Sequence, residues 1–286
     1  MTVERETNIK KAEVLVEALP YIRKFYGDTI VIKLGGSSLP DAKVNILEDV
    51  VLLRYVGMYP VVVHGGGPEI SAMQERMGLQ SRFVDGLRVT DEASMEVVKM
   101  VLTGKVNPDI VNALNALGGQ AVGMSGEDGP SILVKAMPSV NGEDLGLVGE
   151  VAQVNAEPIT ALMGRNYIPV IASIGLGYDG KSYNVNADTV AAELAVALGA
   201  RKLILLTNVE GVQDAAGGLI SEIVAHDVSD KIEDGTVTGG MIPKVKACVR
   251  ALAGVEKAHI IDGRVPHALL LELLTAEGIG TMIVPG

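Results

Sequence analysis

The sequence predicts an α/β fold on a mostly parallel, doubly wound sheet. Three observations carry this. Short β-branched runs recur along the chain, and most are followed by a helix-length stretch, the order that winds a parallel sheet. Hydrophobic residues make up 48% and charged residues 21% of the 286 residues, enough to fill a core. The 34 glycines stand beside seven Tyr, two Phe and no Trp, which suits an aliphatic interior with many tight turns.

Residues 1–28 open the chain. Leu15, Leu19, Ile22 and Tyr26 share one helical face, with Pro20 inside the pattern and Gly27-Asp28 closing it. The helix either packs on its own core or protrudes toward another subunit. Strands are predicted at Thr29–Lys33, Pro60–His64, Gln120–Met124, Ile168–Ser173, Lys202–Thr207, Ala258–Asp262 and Thr281–Val284. Helices are predicted at Asn45–Val56, Pro68–Met77, Glu92–Leu102, Asp109–Leu117, Ala187–Leu198, Met241–Ala253 and Pro266–Leu274. The glycine-broken stretch Ser131–Gln153 reads as antiparallel hairpins over one edge of the sheet. A lobe boundary is expected near Gly199–Arg201, dividing residues 29–200 from 201–286.

The net charge of −11 opposes binding to nucleic acid or anionic lipid. The single cysteine, Cys248, excludes an internal disulfide and a cysteine-built metal site, and His226, His259 and His267 lack ligand spacing. No run is long and apolar enough for a membrane span and no signal segment is visible, so a cytoplasmic protein is expected.

Two motifs mislead. Gly175-Leu-Gly-Tyr-Asp-Gly-Lys-Ser182 matches the P-loop pattern letter for letter and contains GxGxxG, which would suit a nucleotide-binding oxidoreductase. Both patterns need a helix starting at the loop. Here Ser182–Asn186 is poor helix material, and Asp179-Gly180 between strand-like runs signals a hairpin. His64-Gly-Gly-Gly67 resembles an esterase oxyanion loop, but no G-x-S-x-G elbow accompanies it.

The chemistry concentrates elsewhere. Lys33 ends the first strand and runs into Gly35-Gly36, at the strand end where open α/β sheets bind ligands. Gly65-Gly66-Gly67 follows the second strand, with Pro68 suited to the first turn of a helix. Gly239-Gly240 precedes Lys244. Glycine loops let backbone N–H groups approach an anion, and three of them in an acidic chain, two beside a lysine, point to polyphosphate handling.

With these loops, Val31–Ser37, Val63–Pro68, Asp85–Asp91, Met95–Leu102, Tyr183–Asp188, Leu205–Gly211 and Gly235–Lys244 appear in one order. On these stretches the chain resembles the amino acid kinase family, and within it the branch acting on N-acetyl-L-glutamate. The resemblance implies a three-layer α/β/α sandwich and transfer of the ATP γ-phosphoryl group to the substrate's γ-carboxylate, in arginine biosynthesis. That carboxylate is already ionised at neutral pH, so no general base is needed; cationic stabilisation and in-line positioning are.

By the same resemblance, Lys33 and Lys244 stabilise the transferring group and Asp188 organises them. Gly66, Gly67, Arg88 and Asn184 hold the acyl amino acid. Gly35, Gly36, Asn208, Val209, Glu210, Gly211, Val212, Gln213, Thr236, Val237 and Thr238 hold the nucleotide, with Mg²⁺ arriving on ATP and no protein-only metal site. Asn208 and Glu127 depart from the residues common in the family. Forms with an amino-terminal helix are hexamers, trimers of dimers, inhibited by L-arginine. Tyr21, His259, Glu272 and Gly278 match the effector positions. Three rivals remain at this point: a kinase for another acylated acid such as an acyl-2-aminoadipate, a non-catalytic sensor on the same fold, and a Rossmann oxidoreductase using Gly175–Gly180.

Overall fold

The computed structural model describes residues 3–35 and 40–286. Helix α1 (Val3–Phe25) leads into β1 (Thr29–Leu34), followed by α2 (Pro40–Tyr55), β2 (Tyr59–His64) and α3 (Gly67–Arg76). A small hairpin, β3 (Phe83–Val84) with β4 (Leu87–Arg88), precedes α4 (Glu92–Val101). A π-helical turn at Leu102–Val106 joins α4 to α5 (Asn107–Ala116). Then come β5 (Ala121–Ser125), β6 (Ile132–Ala136), β7 (Val148–Val154), α6 (Glu157–Met163), β8 (Ile168–Ala172), β9 (Ile174–Gly177), β10 (Ser182–Val185) and α7 (Ala187–Ala197). The chain finishes with β11 (Lys202–Thr207), β12 (Glu222–Val224), α8 (Val228–Glu233), α9 (Met241–Ala251), β13 (Lys257–Asp262), α10 (Ala268–Leu274) and β14 (Thr281–Val284).

Eight strands form the central sheet in the order β12-β14-β13-β11-β1-β2-β8-β5. Every pairing but β13–β14 is parallel. One half of the sheet is drawn from residues 29–172 and the other from residues 202–284, and they meet where β1 pairs with β11. Alternating side chains feed two cores. Val31, Val61, Leu203 and Leu205 pack with Val190 and Leu194 of α7 and with Val245 and Cys248 of α9. Ile30, Ile32, Ile204 and Leu206 pack with Leu47 and Val50 of α2, Leu114 of α5 and Leu269 of α10. Helices therefore cover both faces, and the three-layer sandwich follows from the period-2 pattern of continuous buried strands.

The predicted hairpin at residues 131–153 is present as β6 and β7, which pair antiparallel. It does not simply cover an edge of the large sheet. It pairs with the β9–β10 hairpin into a closed four-stranded sheet of its own. The letter-perfect P-loop is that second hairpin: Gly180 turns it at φ +79°, and no helix begins before Ala187.

Helix α1 runs through Pro20 without a break in assignment. Its carboxyl end is anchored by buried Phe25, whereas Leu15, Leu19 and Tyr26 stay exposed, so the expected apolar face does not pack on the chain's own core. No helix among the described residues is long and apolar enough to cross a membrane.

Candidate active site

Lys33 is the penultimate residue of β1, flanked by Val63 of β2 and Leu205 of β11. Its side chain therefore emerges at the carboxyl end of the sheet's centre. Gly35 follows where the chain must pass close to β11: a Cβ there would lie 2.4 Å from the Leu206 carbonyl oxygen and 2.7 Å from Lys33 Nζ. Gly36 lies outside the described residues.

Asp188 enters from the opposite side, in the first turn of α7. Asn186 caps that helix, its side-chain oxygen accepting from the N–H groups of Asp188 and Thr189. Lys244 comes from the first turns of α9, which packs against α7. The Asp188 carboxylate meets Lys33 Nζ at 2.8 Å through Oδ1 and Lys244 Nζ at 2.8 Å through Oδ2. Burial disfavours the ionised form of Asp188, but the two ammonium groups outweigh it and hold the carboxyl below the usual aspartate range. Burial likewise pushes the Lys33 ammonium below the usual lysine value; Asp188 opposes that and Lys244 adds to it.

A cavity of about 290 Å³ opens over this group. Lys33, Gly35, Gly66, Gly67, Arg88, Asn184 and Asp188 all line it, joined by Glu69, Phe83 and Ser173. At Gly66 a Cβ would approach Leu102 Cδ2 to 2.6 Å, so the loop lies tight against the π-helical turn. Asn184 donates from Nδ2 to Thr90 Oγ1 at 3.2 Å. Arg88 is buried, its guanidinium over the Phe83 ring at 4.6 Å, and burial alone lowers its pKa. No carboxylate pairs with it among the described residues.

Apart from Gly35 and Gly36 after β1, the predicted nucleotide residues lie in two loops, one after β11 and one before α9. None lines the cavity around Lys33 apart from Gly35. Asn208, Val209, Glu210, Gln213 and Thr238 are exposed and Thr236 is half-buried. Val212 and Val237 point into the core, so only their backbones are open to a ligand. Gly211 has φ +154°, and its neighbour Val212 donates to Thr281 Oγ1.

A second cavity gathers Tyr21, Lys202, His259, Glu272 and Gly278 between α1, α10 and the amino-terminal ends of β11 and β13. The four predicted effector residues thus share one wall. Glu272 is already engaged: Oε1 meets Lys202 Nζ at 2.9 Å and His259 Nδ1 at 2.8 Å, and Oε2 accepts from Ile279 N at 3.0 Å.

The sequence reading missed Gln74, Asn107 and Asn186. Asn186 carried a signal, since an Asn before an apolar run caps a helix. Asn107 Nδ2 donates to the Val170 carbonyl at 2.9 Å and lies 2.9 Å from His64 Nε2, while His64 Nδ1 lies 2.9 Å from the Gly65 carbonyl. Nothing local marks Gln74 or Asn107, because each reads as one more polar helix position.

Among the described residues no three His, Cys, Asp or Glu side chains cluster as a metal cage.

The model of the amino acid kinase family matches residues 28–262. Curated acetylglutamate kinases resemble the chain along nearly all of both lengths. That of Thermoanaerobacter sp. (strain X514) is 53% identical over 96% of this chain and 93% of its own. That of Methanothrix thermoacetophila is 53% identical over 96% and 99%. A solved N-acetylglutamate synthase from Neisseria gonorrhoeae, complexed with coenzyme A and N-acetyl-glutamate, superposes with TM-score 0.84 at 26% identity. It covers 96% of this chain, which spans only 63% of that longer one. A structure from Streptococcus mutans UA159 superposes with TM-score 0.77 at 30% identity, over 90% of this chain and 99% of its own. The lysine-clamped carboxylate at the carboxyl ends of β1 and β11 and the near full-length likeness agree: the chain belongs to the amino acid kinase family.

Proposed function

We propose that this chain transfers the γ-phosphoryl group of ATP to the γ-carboxylate of N-acetyl-L-glutamate, giving N-acetyl-L-glutamyl 5-phosphate for arginine biosynthesis. The observation that carries the reading is a single cavity lined by Lys33, Asp188 and a buried Arg88 that pairs with no carboxylate among the described residues, with Lys244 bound to the far oxygen of the same Asp188. The nucleophile comes ionised, so the site has to supply only positive charge and alignment. Lys33 faces the transferring phosphoryl from β1 and Lys244 from α9. Asp188 fixes both ammonium groups before substrate enters, which removes reorganisation from the barrier. Arg88 takes the α-carboxylate, Asn184 the acetamido end, and the N–H groups at Gly66 and Gly67 the reacting carboxylate.

ATP lies over the 201–286 half, its adenosine along Asn208–Gln213 and its phosphates toward Thr236–Thr238. Mg²⁺ enters as part of that substrate: both Asp188 oxygens are engaged by ammonium groups, so the phosphates carry the ion. Tyr21, His259, Glu272 and Gly278 form a site for L-arginine, whose guanidinium exchanges into the Glu272 set. The exposed face of α1 seats on a second dimer, closing a hexamer of three dimers. The reaction belongs in the cytoplasm.

Incubation with MgATP, hydroxylamine and a panel of acids tests the reaction, because hydroxylamine traps acyl phosphates. Hydroxamate should form with N-acetyl-L-glutamate and far less with glutamate or N-acyl-2-aminoadipate. Preference for the longer acid would reassign the substrate, and no hydroxamate with any acid would leave a sensor.

A further inference from the structure

Among the described residues, Arg88 is held by neutral groups alone. Nη1 donates to Gln74 Oε1 at 2.5 Å and to Ser81 Oγ at 2.8 Å. Nη2 donates to the Gly67 carbonyl at 2.9 Å and to Ser71 Oγ at 2.7 Å. Gln74 is fully buried on α3. Its Nε2 donates to Ser94 Oγ at 3.0 Å, and Ser94 N donates to Asp91 Oδ1, the cap of α4. Ser81 also donates to Gln74 Oε1, at 2.6 Å. A guanidinium has no acceptor, so the amide can only present Oε1 to Arg88 and Nε2 to Ser94. Two helices therefore fix the direction of this one side chain.

The chemistry of that choice matters. An amide oxygen orients the fork without cancelling its charge. A glutamate of the same shape would make a permanent charge-assisted pair with the guanidinium. With glutamine, a cation that is only 7% exposed waits without a counter-ion among the described residues, and any carboxylate entering the cavity relieves its desolvation. Gly67 lies on the cavity wall whereas Gln74 does not. An incoming carboxylate thus exchanges with the Gly67 and Ser71 contacts on Nη2, while Gln74 keeps hold of Nη1.

We propose that Gln74 is a positioning and specificity residue: it aims Arg88 while leaving its charge free, so the cavity selects acids bearing a second carboxylate besides the one phosphorylated. This rests on the reading that Arg88 receives the substrate α-carboxylate. The test is steady-state kinetics of the full-length wild type, Gln74→Glu and Gln74→Met, with melting temperatures. Gln74→Glu should raise KM for N-acetyl-L-glutamate by ~30-fold, the scale of a lost hydrogen bond to a charged group. KM for MgATP should stay within about 3-fold on the same scale and the melting temperature should not fall, since the new carboxylate pairs with Arg88. Gln74→Met keeps the volume but loses the acceptor, and should give a smaller rise confined to the same KM. An unchanged KM for the acid in Gln74→Glu, or a parallel rise in both KM values with a lowered melting temperature in both variants, would overturn the proposal. A wild type that fails to use N-acetyl-L-glutamate would instead overturn the substrate reading, and is seen in the control arm.

Discussion

The two cavities are built from the same kinds of groups with opposite balance. Over the Lys33 group, one carboxylate serves two ammonium groups, and Arg88 lines the same cavity with no carboxylate partner among the described residues. In the second cavity the carboxylate of Glu272 has three partners in Lys202, His259 and the Ile279 N–H, and no buried cation is left over among its described neighbours. Among the described residues, the buried side-chain atom left without a hydrogen bond there is a ring nitrogen, His259 Nε2. The first cavity is short of negative charge and gains by taking an anion in. The second is electrostatically complete, so a ligand there exchanges partners instead of filling a deficit. Large chemical effects belong to the first and modest coupling to the second.

Removing the shared carboxylate should do the most. Asp188→Asn leaves the buried Lys33 and half-buried Lys244 ammonium groups without their counter-ion, which should cost about 3 kcal/mol of stability as well as activity. The same residue sets a pH signature. Its carboxyl titrates below the usual range when folded, so the unfolded chain takes up the proton first as pH falls. The stability it contributes is whole above its unfolded pKa of ~3.9 and is lost as pH drops through the folded value. Acid unfolding followed by circular dichroism should be less steep in Asp188→Asn; an identical acid limb would show that the carboxylate is not held by the lysines.

Next comes the lone cation. Arg88→Lys should raise KM for the acid by ~10–100-fold with KM for MgATP little changed, because an ammonium cannot copy the planar fork. Equal loss for both substrates would make Arg88 structural. In the second cavity, deleting residues 1–26 removes Tyr21 and the exposed face of α1. It should give an active dimer whose arginine inhibition is lost or weakened by the ~1–3 kcal/mol typical of such coupling. A truncated chain that stays hexameric and fully arginine-sensitive in light scattering and titration would break the comparison on that side.

How much of this could be read from the residues differs by element. The central strands were legible because runs such as Thr29–Lys33 and Lys202–Thr207 are β-branched or aliphatic apart from one terminal lysine each and are bounded by turns. The helix α6 was not, being seven residues long with Pro158 in its first turn, and α8 and β12 are shorter still. The four-stranded closed sheet was half legible. Its two hairpins announce themselves locally, but the parallel pairings of β6 with β9 and β7 with β10 join strands distant in sequence. In the site, Lys33 and the glycine loops stood at strand ends, where position alone suggests a role. Gln74 carries no such mark: only the fold brings it beneath Arg88.

The smallest expected effect is Ser182→Ala. In the hairpin, Ser182 Oγ accepts from Lys99 at 2.8 Å and donates to Glu127 at 2.6 Å, so the change should cost at most about 1 kcal/mol of stability and leave MgATP use intact. Loss of MgATP use in this variant would revive the P-loop that the hairpin argues against.

The central claim is that two ammonium groups on one carboxylate stabilise the transferring phosphoryl. Single-turnover transfer from MgATP to N-acetyl-L-glutamate, at saturating concentrations of both, measures it most directly in Lys33→Ala and Lys244→Ala. Each should transfer at least ~100-fold more slowly than wild type, the scale for losing one preorganised charge-stabilising donor, while remaining folded. A near-wild-type rate in either variant would contradict the account.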